Sequence, residues 1–566
     1  MIQSGFNFLA MKLQKLIKIL SILSIVMIGF ALADDLGPSS FNSASLTWLS
    51  IWPPVIAIIL ALVTHEAHLA LFMGIWVGAS MISGNPLSGL TSSLDTYIVG
   101  SVTDHGHASI LIFTLSFGGL IGVITANGGM KGAVDVAGKY ATSNRRSQMA
   151  TAIMGLVIFF DDYANSILVG NMMRPFTDKV RVSREKLSYL VDSTAAPVAS
   201  LAAVSTWSIF QMSLLDAPYT NHGITQSTYL TFLQSIPYSF YCIMAIVFLF
   251  LTVFMKKEFG PMLKAETRAQ TTGAVLSENA QPMMDKVLVA KMDASVTSHW
   301  SNAVIPIVLV LAITIGGLFV TGIQGLNPGD KRSLINIITA SDANTALIWG
   351  SFLSGFVAIG ISMIRGLLNL RDAMDAWIEG ARSMILACII LILAWTIGDI
   401  CAEIKTAEYI VAATKNFLTP ALLPPITFVT AALISFATGS SWATMSTLVP
   451  VTVPMAIQLM QGDPNAIVQT PIFISTFAAV LSGSVFGDHS SPIADTTILS
   501  STASGADHID HVRTQLPYAL ICAAIALIGG YFLTGIGVNV FVSILVGCAM
   551  AYAFLKFFGK TVPASA

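Results

Sequence analysis

Residues 301–323 contain no Lys, Arg, Asp or Glu, and neither do 48–64, 67–84, 237–255 or 537–555. An apolar helix of about 20 residues matches the roughly 30 Å hydrocarbon core of a bilayer. Only 10% of the 566 residues are charged, where soluble domains run near 25%. Such a chain cannot cover a globular surface with polar groups, so its apolar runs must face lipid. It reads as an all-α polytopic membrane protein, which excludes soluble-enzyme and nucleic-acid-binding classes. The net charge of −2 points to no partner. The five cysteines lie in or beside apolar spans and imply no disulfide framework.

Basic residues set the expected topology, because Lys and Arg accumulate on the cytoplasmic side. Lys12, Lys15 and Lys18 precede the apolar stretch 19–32, and Ala31-Leu32-Ala33 follows. That order marks 1–33 as a signal peptide or an N-terminal anchor. The expected crossings are 48–64, 67–84, 108–126, 187–212, 237–255, 301–323, 344–364, 383–400, 471–500, 515–535 and 537–555. Segment 148–173 has Arg145 and Arg146 before it and Arg174, Lys179, Arg181, Arg184 and Lys186 after it. With both flanks basic, it should enter and leave on one side. Segment 421–458 is too long for one span and breaks at Thr438-Gly439-Ser440-Ser441. Both read as re-entrant hairpins. Of the 28 Lys and Arg, all but Lys331, Arg332, Lys405 and Lys415 then fall on the cytoplasmic side. Loops 85–107, 213–236 and 459–470 carry no Lys or Arg and are expected outside.

This gives a first repeat over 46–256, a cytoplasmic linker over 257–300, a second repeat over 301–535, and a final helix and tail over 537–566. Each repeat holds five crossings, and since five is odd the second must be inverted. Weak internal similarity agrees. Phe160–Asn165 pairs with Phe436–Ser441, and Thr194-Ala195-Ala196-Pro197 pairs with His489-Ser490-Ser491-Pro492. Each half thus carries a polar hairpin tip followed by a broken helix. Inverted repeats with discontinuous helices place a transport site near the midplane, where the breaks meet.

Ionisable groups inside apolar segments are costly and are functional candidates. Asp161 and Asp162 sit at the first hairpin tip, with Asn165 and Ser166 one turn on. Asp192, Ser193 and Thr194 lie in the first broken span, and Thr438, Ser440 and Ser441 at the second tip. Asp488, His489, Ser490, Ser491 and Asp495 lie in the second broken span. Carboxylate, amide and hydroxyl oxygens suit a hard cation such as Na⁺. Asp162, Asp488, His489 and Asp399 are the candidates for proton coupling. Two local patterns are set aside. Thr64-His65-Glu66-Ala67-His68 has one residue too few between Glu and the second His for a zinc helix. Asp507-His508-Ile509-Asp510-His511 reads as a solvated, pH-responsive cytoplasmic loop.

Four stretches resemble the NhaC-type sodium/proton antiporter family: Phe159–Ser166, Asp192–Pro197, Thr438–Trp442 and Phe486–Asp495, with Asp507–Pro517 fitting as well. The resemblance covers nearly the whole chain after residue 45. It implies secondary Na⁺/H⁺ exchange without a cofactor, an inner-membrane location, and a scaffold carrying a mobile transport domain, usually as a homodimer. Relatives that exchange malate and lactate make a Na⁺- or H⁺-coupled exchanger of small carboxylates or amino acids the alternative. The absence of a buried Arg argues mildly against that alternative. An intramembrane enzyme is disfavoured, since no zinc or Ser-Lys pattern appears in the spans.

Overall fold

The computed structural model describes residues 48–64, 66–282, 299–326, 337, 340–414 and 418–563. The signal-like segment 1–33 and the external Lys331, Arg332 and Lys415 lie outside these residues. Among the described residues the fold is helical, apart from a two-residue antiparallel pairing of Lys257–Glu258 with Lys560–Thr561. Among the described residues, nine helices are long and apolar enough to cross a membrane, or up to 12 spans if each bent helix pair counts as one.

The elements run in the same order in both halves. The first has Trp52–Thr64, Ala67–Ser83, a helical segment over 86–103, His105–Ala126 and Gly129–Gly138. The second has Ser301–Gly325, Ala343–Ile364, Leu370–Ser383, Ile385–Glu403 and Thr406–Thr414. Then come the helix pairs Asn144–Val157 with Asp162–Lys179, and Leu423–Thr438 with Ser441–Met460. A broken helix follows each pair, over 184–213 and 471–504, and then a further long element, 228–255 or 508–535.

Two expected loops are helical instead. After Ser83 the chain turns at Gly84, which is left-handed at φ 77°, and restarts with Asn85 as N-cap and Pro86 at the first position. Ser, Thr or Asn at the cap followed by Pro starts a helix efficiently. The segment from Pro86 to Thr103 then lies at 116° to the preceding helix. Region 213–236 likewise holds Asp216–Asn221 and Thr228–Ser235. Neither stretch shows apolar periodicity, which concealed both; the first is capped by the Asn85 side chain, and the second has no such cap.

Close helix packing relies on small residues, as expected where backbones must approach in lipid. Leu370–Ser383 lies against His105–Ala126 at Gly118, Gly119 and Gly122, where an added Cβ would strike Met384, Trp377 and the Ala376 carbonyl respectively. In each half the helix pair also presses on the break that follows it. Gly155 abuts the Thr194 side chain, and Gly439 abuts Ile493.

The described part of the linker runs over 257–282. Its helix Gly260–Thr272 docks against the start of the broken helix, where Arg268 pairs with Glu185 at 2.9 Å. Beside it, fully buried Lys186 pairs with Glu258 at 2.7 Å and reaches the Thr252 hydroxyl at 3.0 Å.

Candidate functional site

The site begins with two helix breaks. The first pair stops at Val157 and restarts at Asp162, with Asp161 as N-cap. Asp161 Oδ1 accepts from the Ala164 N–H at 2.8 Å, which satisfies one orphan donor and seats a carboxyl group at the positive helix end. The second pair stops at Thr438, passes Gly439 at φ 69°, and restarts at Ser441 with Ser440 as N-cap. Only glycine fits comfortably at Gly439, since the backbone is left-handed and a Cβ would lie 2.7 Å from the Ile493 side chain.

Both breaks open onto one cavity of about 110 Å³. Asp161, Asp162, Tyr163, Thr206 and Trp207 line it from the first half. Gly439, Ser440, Ser441, Trp442, Asp488, Asp495 and Thr496 line it from the second, with 383–390 closing one wall. Trp442 packs against Phe210 at 4.0 Å and edge-on to Trp207 at 6.1 Å, which clamps the second break onto the first half. Asp161, Asp162 and Asp488 are each 4% exposed, whereas Asp495 is exposed at the mouth. The lining holds four carboxylates and no Lys, Arg or His. That excess of buried anionic groups requires positive charge, either protons or a bound cation. Asp488 Oδ2 has no hydrogen-bond partner, leaving an acceptor open.

Of the residues expected from sequence, the cavity gathers Asp161, Asp162, Ser440, Ser441, Asp488 and Asp495. Asn165, Asp192, Ser193, Thr194, Thr438, His489, Ser490 and Ser491 do not line it. Asn165 ties the backbone together: its amide nitrogen donates to the carbonyls of Gly155 at 2.7 Å, Ile158 at 3.0 Å and Thr194 at 2.8 Å. The Thr194 hydroxyl returns to the Leu190 carbonyl at 2.8 Å, and the Ser490 hydroxyl to Phe486 at 2.6 Å. Ser491 and Thr438 make turn contacts to Ile493 and to Ser440. Asp399 lines a separate cavity of about 380 Å³ with Glu403, Glu408 and His222.

Asp192, Ser193 and His489 belong to a second, buried polar network. His489 is held by Tyr241 at 2.6 Å and Ser193 at 2.9 Å. Asp192 meets His511 at 3.2 Å and Ser500 at 3.3 Å, and Gln515 donates to both Asp192 and the His489 carbonyl. Here the expectation for 507–511 is corrected. Asp507 is the N-cap of helix His508–Ile525, and His511 is fully buried. A pattern of His511, Gln515, Tyr518 and Cys522 marks one polar helix face, the signal that could have revealed it. Thr206 and Trp207 were also missed, because they follow a second break at 202–205 that no Pro or Gly announces.

Residues 198–536 match the Na⁺/H⁺ antiporter family. An uncharacterized protein of Haemophilus influenzae is 30% identical over 498 residues, covering 87% of this chain and 91% of that one. The malate-2H⁺/Na⁺-lactate antiporter of Bacillus subtilis is 28% identical over 194 residues, 32% of this chain and 38% of that one. Among solved structures, MtrF of Neisseria gonorrhoeae, described as illuminating antimetabolite efflux pumps, covers 90% of this chain and 97% of its own at a TM-score of 0.50. At 12% identity, that likeness concerns the fold alone.

Proposed function

This chain belongs to the Na⁺/H⁺ antiporter family, and from that premise we propose that it exports Na⁺ in exchange for H⁺ across a bacterial inner membrane by alternating access. The carrying observation is the cavity where both helix breaks meet four carboxylates and no basic side chain. Asp161, Asp162 and Asp488 are the buried charges, and Ser440 and Ser441 add hydroxyl oxygens, a donor set suited to a hard cation. Net anionic burial favours a bound cation, and exchange requires that its release be coupled to the uptake of a proton. The two halves act as an inverted repeat with re-entrant hairpins, and a homodimer supplies the fixed scaffold. The cation shell in this reading leaves out Asp192, Ser193 and Thr194, which turn away from the cavity.

A second reading, exchange of a small organic carboxylate coupled to Na⁺ or H⁺, draws support from the Bacillus subtilis relative and from the two helix N-termini at the cavity, which favour an anion. Purified protein in proteoliposomes with an internal pH dye separates the two. Proton movement driven by a Na⁺ gradient alone supports the first. Proton or Na⁺ movement that appears only when malate, lactate or an amino acid is added supports the second.

A further inference from the structure

We infer that the transported proton is carried by the pair Asp192 and His511, at a site distinct from the cation cavity; the inference rests on the exchange reading above. Both side chains are 0% exposed, and His511 Nε2 lies 3.2 Å from Asp192 Oδ2. They come from opposite halves, Asp192 from the end of Arg184–Asp192 and His511 from the first turn of His508–Ile525. A lone ionised carboxylate in such a place is costly, and an imidazole beside it offsets that cost when protonated.

The hydrogen bonds define where the proton goes. Asp192 Oδ1 meets the Ser500 hydroxyl at 3.3 Å, and its other oxygen is also met by the Gln515 amide. With His511 Nε2–H donating to Asp192, Nδ1 of His511 presents a lone pair, and that atom has no hydrogen-bond partner. Gln515 Oε1 is likewise unpartnered in the same cluster. An arriving proton adds to the Nδ1 lone pair, giving an imidazolium against the Asp192 carboxylate, and it leaves from the same nitrogen without breaking any other bond. The neighbouring His489 differs. Both of its ring nitrogens are already engaged, by Tyr241 and Ser193, so it holds the network in place. The other titratable groups that interact with the pair are Tyr241 on Phe240–Met255, and Asp488 and His489 on Pro471–Ser490. His489 is the basic one among them, and with both of its nitrogens engaged, His511 is the group with a free lone pair opposite Asp192.

The pair is also wired to the cation cavity. Ser500 is hydrogen-bonded to Ser166 at 3.1 Å, and Ser166 lies one turn along the helix that begins at Asp162. A change of charge at Asp192 and His511 is therefore relayed through Ser500 and Ser166 to the helix that begins at Asp162.

The test uses the full-length protein in proteoliposomes and two variants, His511→Gln and Asp192→Asn. Two fluxes are read: radioactive Na⁺ self-exchange, which needs no proton, and proton movement driven by a Na⁺ gradient. We expect self-exchange to persist at a rate near that of the wild type. Gradient-driven proton movement should fall by about a hundredfold, the lower range for loss of a positioned proton-transfer group. Proton movement at the wild-type rate in His511→Gln would overturn the proposal. So would parallel loss of both fluxes in both variants, because that would assign the pair to cation binding or folding. If the wild type itself moves no proton with Na⁺, the exchange reading fails instead.

Discussion

The Tyr163 phenol and the Asp495 carboxylate, 332 residues apart, meet at 3.3 Å at the cavity mouth. Tyr163 follows the first helix break and Asp495 starts the helix after the break within the second broken span, so this bond joins the two halves beside the proposed cation site. Tyr163→Phe should raise the Na⁺ concentration for half-maximal exchange several-fold. That corresponds to about 1 kcal/mol, a net hydrogen-bond scale. Asp495→Asn should have a similar effect, and the double variant should cost less than the sum, since residues in contact are not additive. Full additivity in Na⁺ titrations would mean the bond does not form during transport.

Charge at the cavity floor is the second point to test. Asp162→Asn and Asp488→Asn keep shape while removing an anionic ligand. Each should abolish Na⁺-driven proton movement, with the protein still monodisperse on size exclusion. Near-normal exchange by both variants would remove the carboxylates from the cation shell.

The two serines expected from sequence to share one ion shell now separate. Ser441 lines the cavity, whereas Ser193 bonds His489 at 2.9 Å. Ser441→Ala should weaken Na⁺ dependence several-fold, by about 1 kcal/mol. Ser193→Ala should leave Na⁺ half-saturation nearly unchanged and alter proton movement through His489. Equal shifts in Na⁺ half-saturation for both would put Ser193 back in the shell.

The sequence made the spans and both breaks legible because each has a strong local cause. Uncharged runs report on the bilayer, and Thr438-Gly439-Ser440-Ser441 reports on a helix that cannot continue. It also identified the carboxylates of the cavity, since Asp161, Asp162 and Asp488 are conspicuous in apolar surroundings. The grouping was not legible. Whether Ser193 faces Ser441 or His489 depends on helix rotation, and one residue turns a side chain through about 100°. His511 was hidden for a different reason: its neighbours Asp507, His508 and Asp510 look solvated, and the burial of one face of that helix start is a tertiary fact. The helix at 86–103 escaped because its caps are local but its 116° bend is not.

Lys186 and Glu258 form a deeply buried ion pair, 2.7 Å apart with side chains 0% and 4% exposed. Tyr518 donates a further bond to Glu258. Removing one partner leaves an uncompensated buried charge at a cost of about 3–5 kcal/mol. Lys186→Met and Glu258→Gln should each lower the melting temperature markedly, because each strands the charge of the remaining partner. The double variant Lys186→Met with Glu258→Leu should recover most of the loss. A melting temperature unchanged in Lys186→Met would show that the pair is solvated.

The last prediction concerns the linker helix, which lies outside the spans. Burial pushes the Glu266 carboxyl up to about 7 from an ordinary 4.5, Glu258 adds to the rise, and the Ser183 bond and Lys186 oppose it. Its Oε1 accepts from the Ser183 N–H at 2.8 Å, and Gln148 approaches the other oxygen at 3.5 Å. Glu266 thus holds the linker helix both to the first helix pair and to the start of the broken helix. The docked state binds the proton more tightly than the undocked one, so acid stabilises docking. That stabilisation is complete below about 4.5 and is lost as pH rises through about 7. Hydrogen exchange over residues 260–281 should therefore be slower near pH 5.5 than near pH 8, after correction for the intrinsic chemical rate, and the step should centre near the Glu266 value. Glu266→Gln stays neutral at every pH, so its linker should keep the slow, acid-like exchange throughout. Identical pH dependence in Glu266→Gln and the wild type would place the sensing group elsewhere.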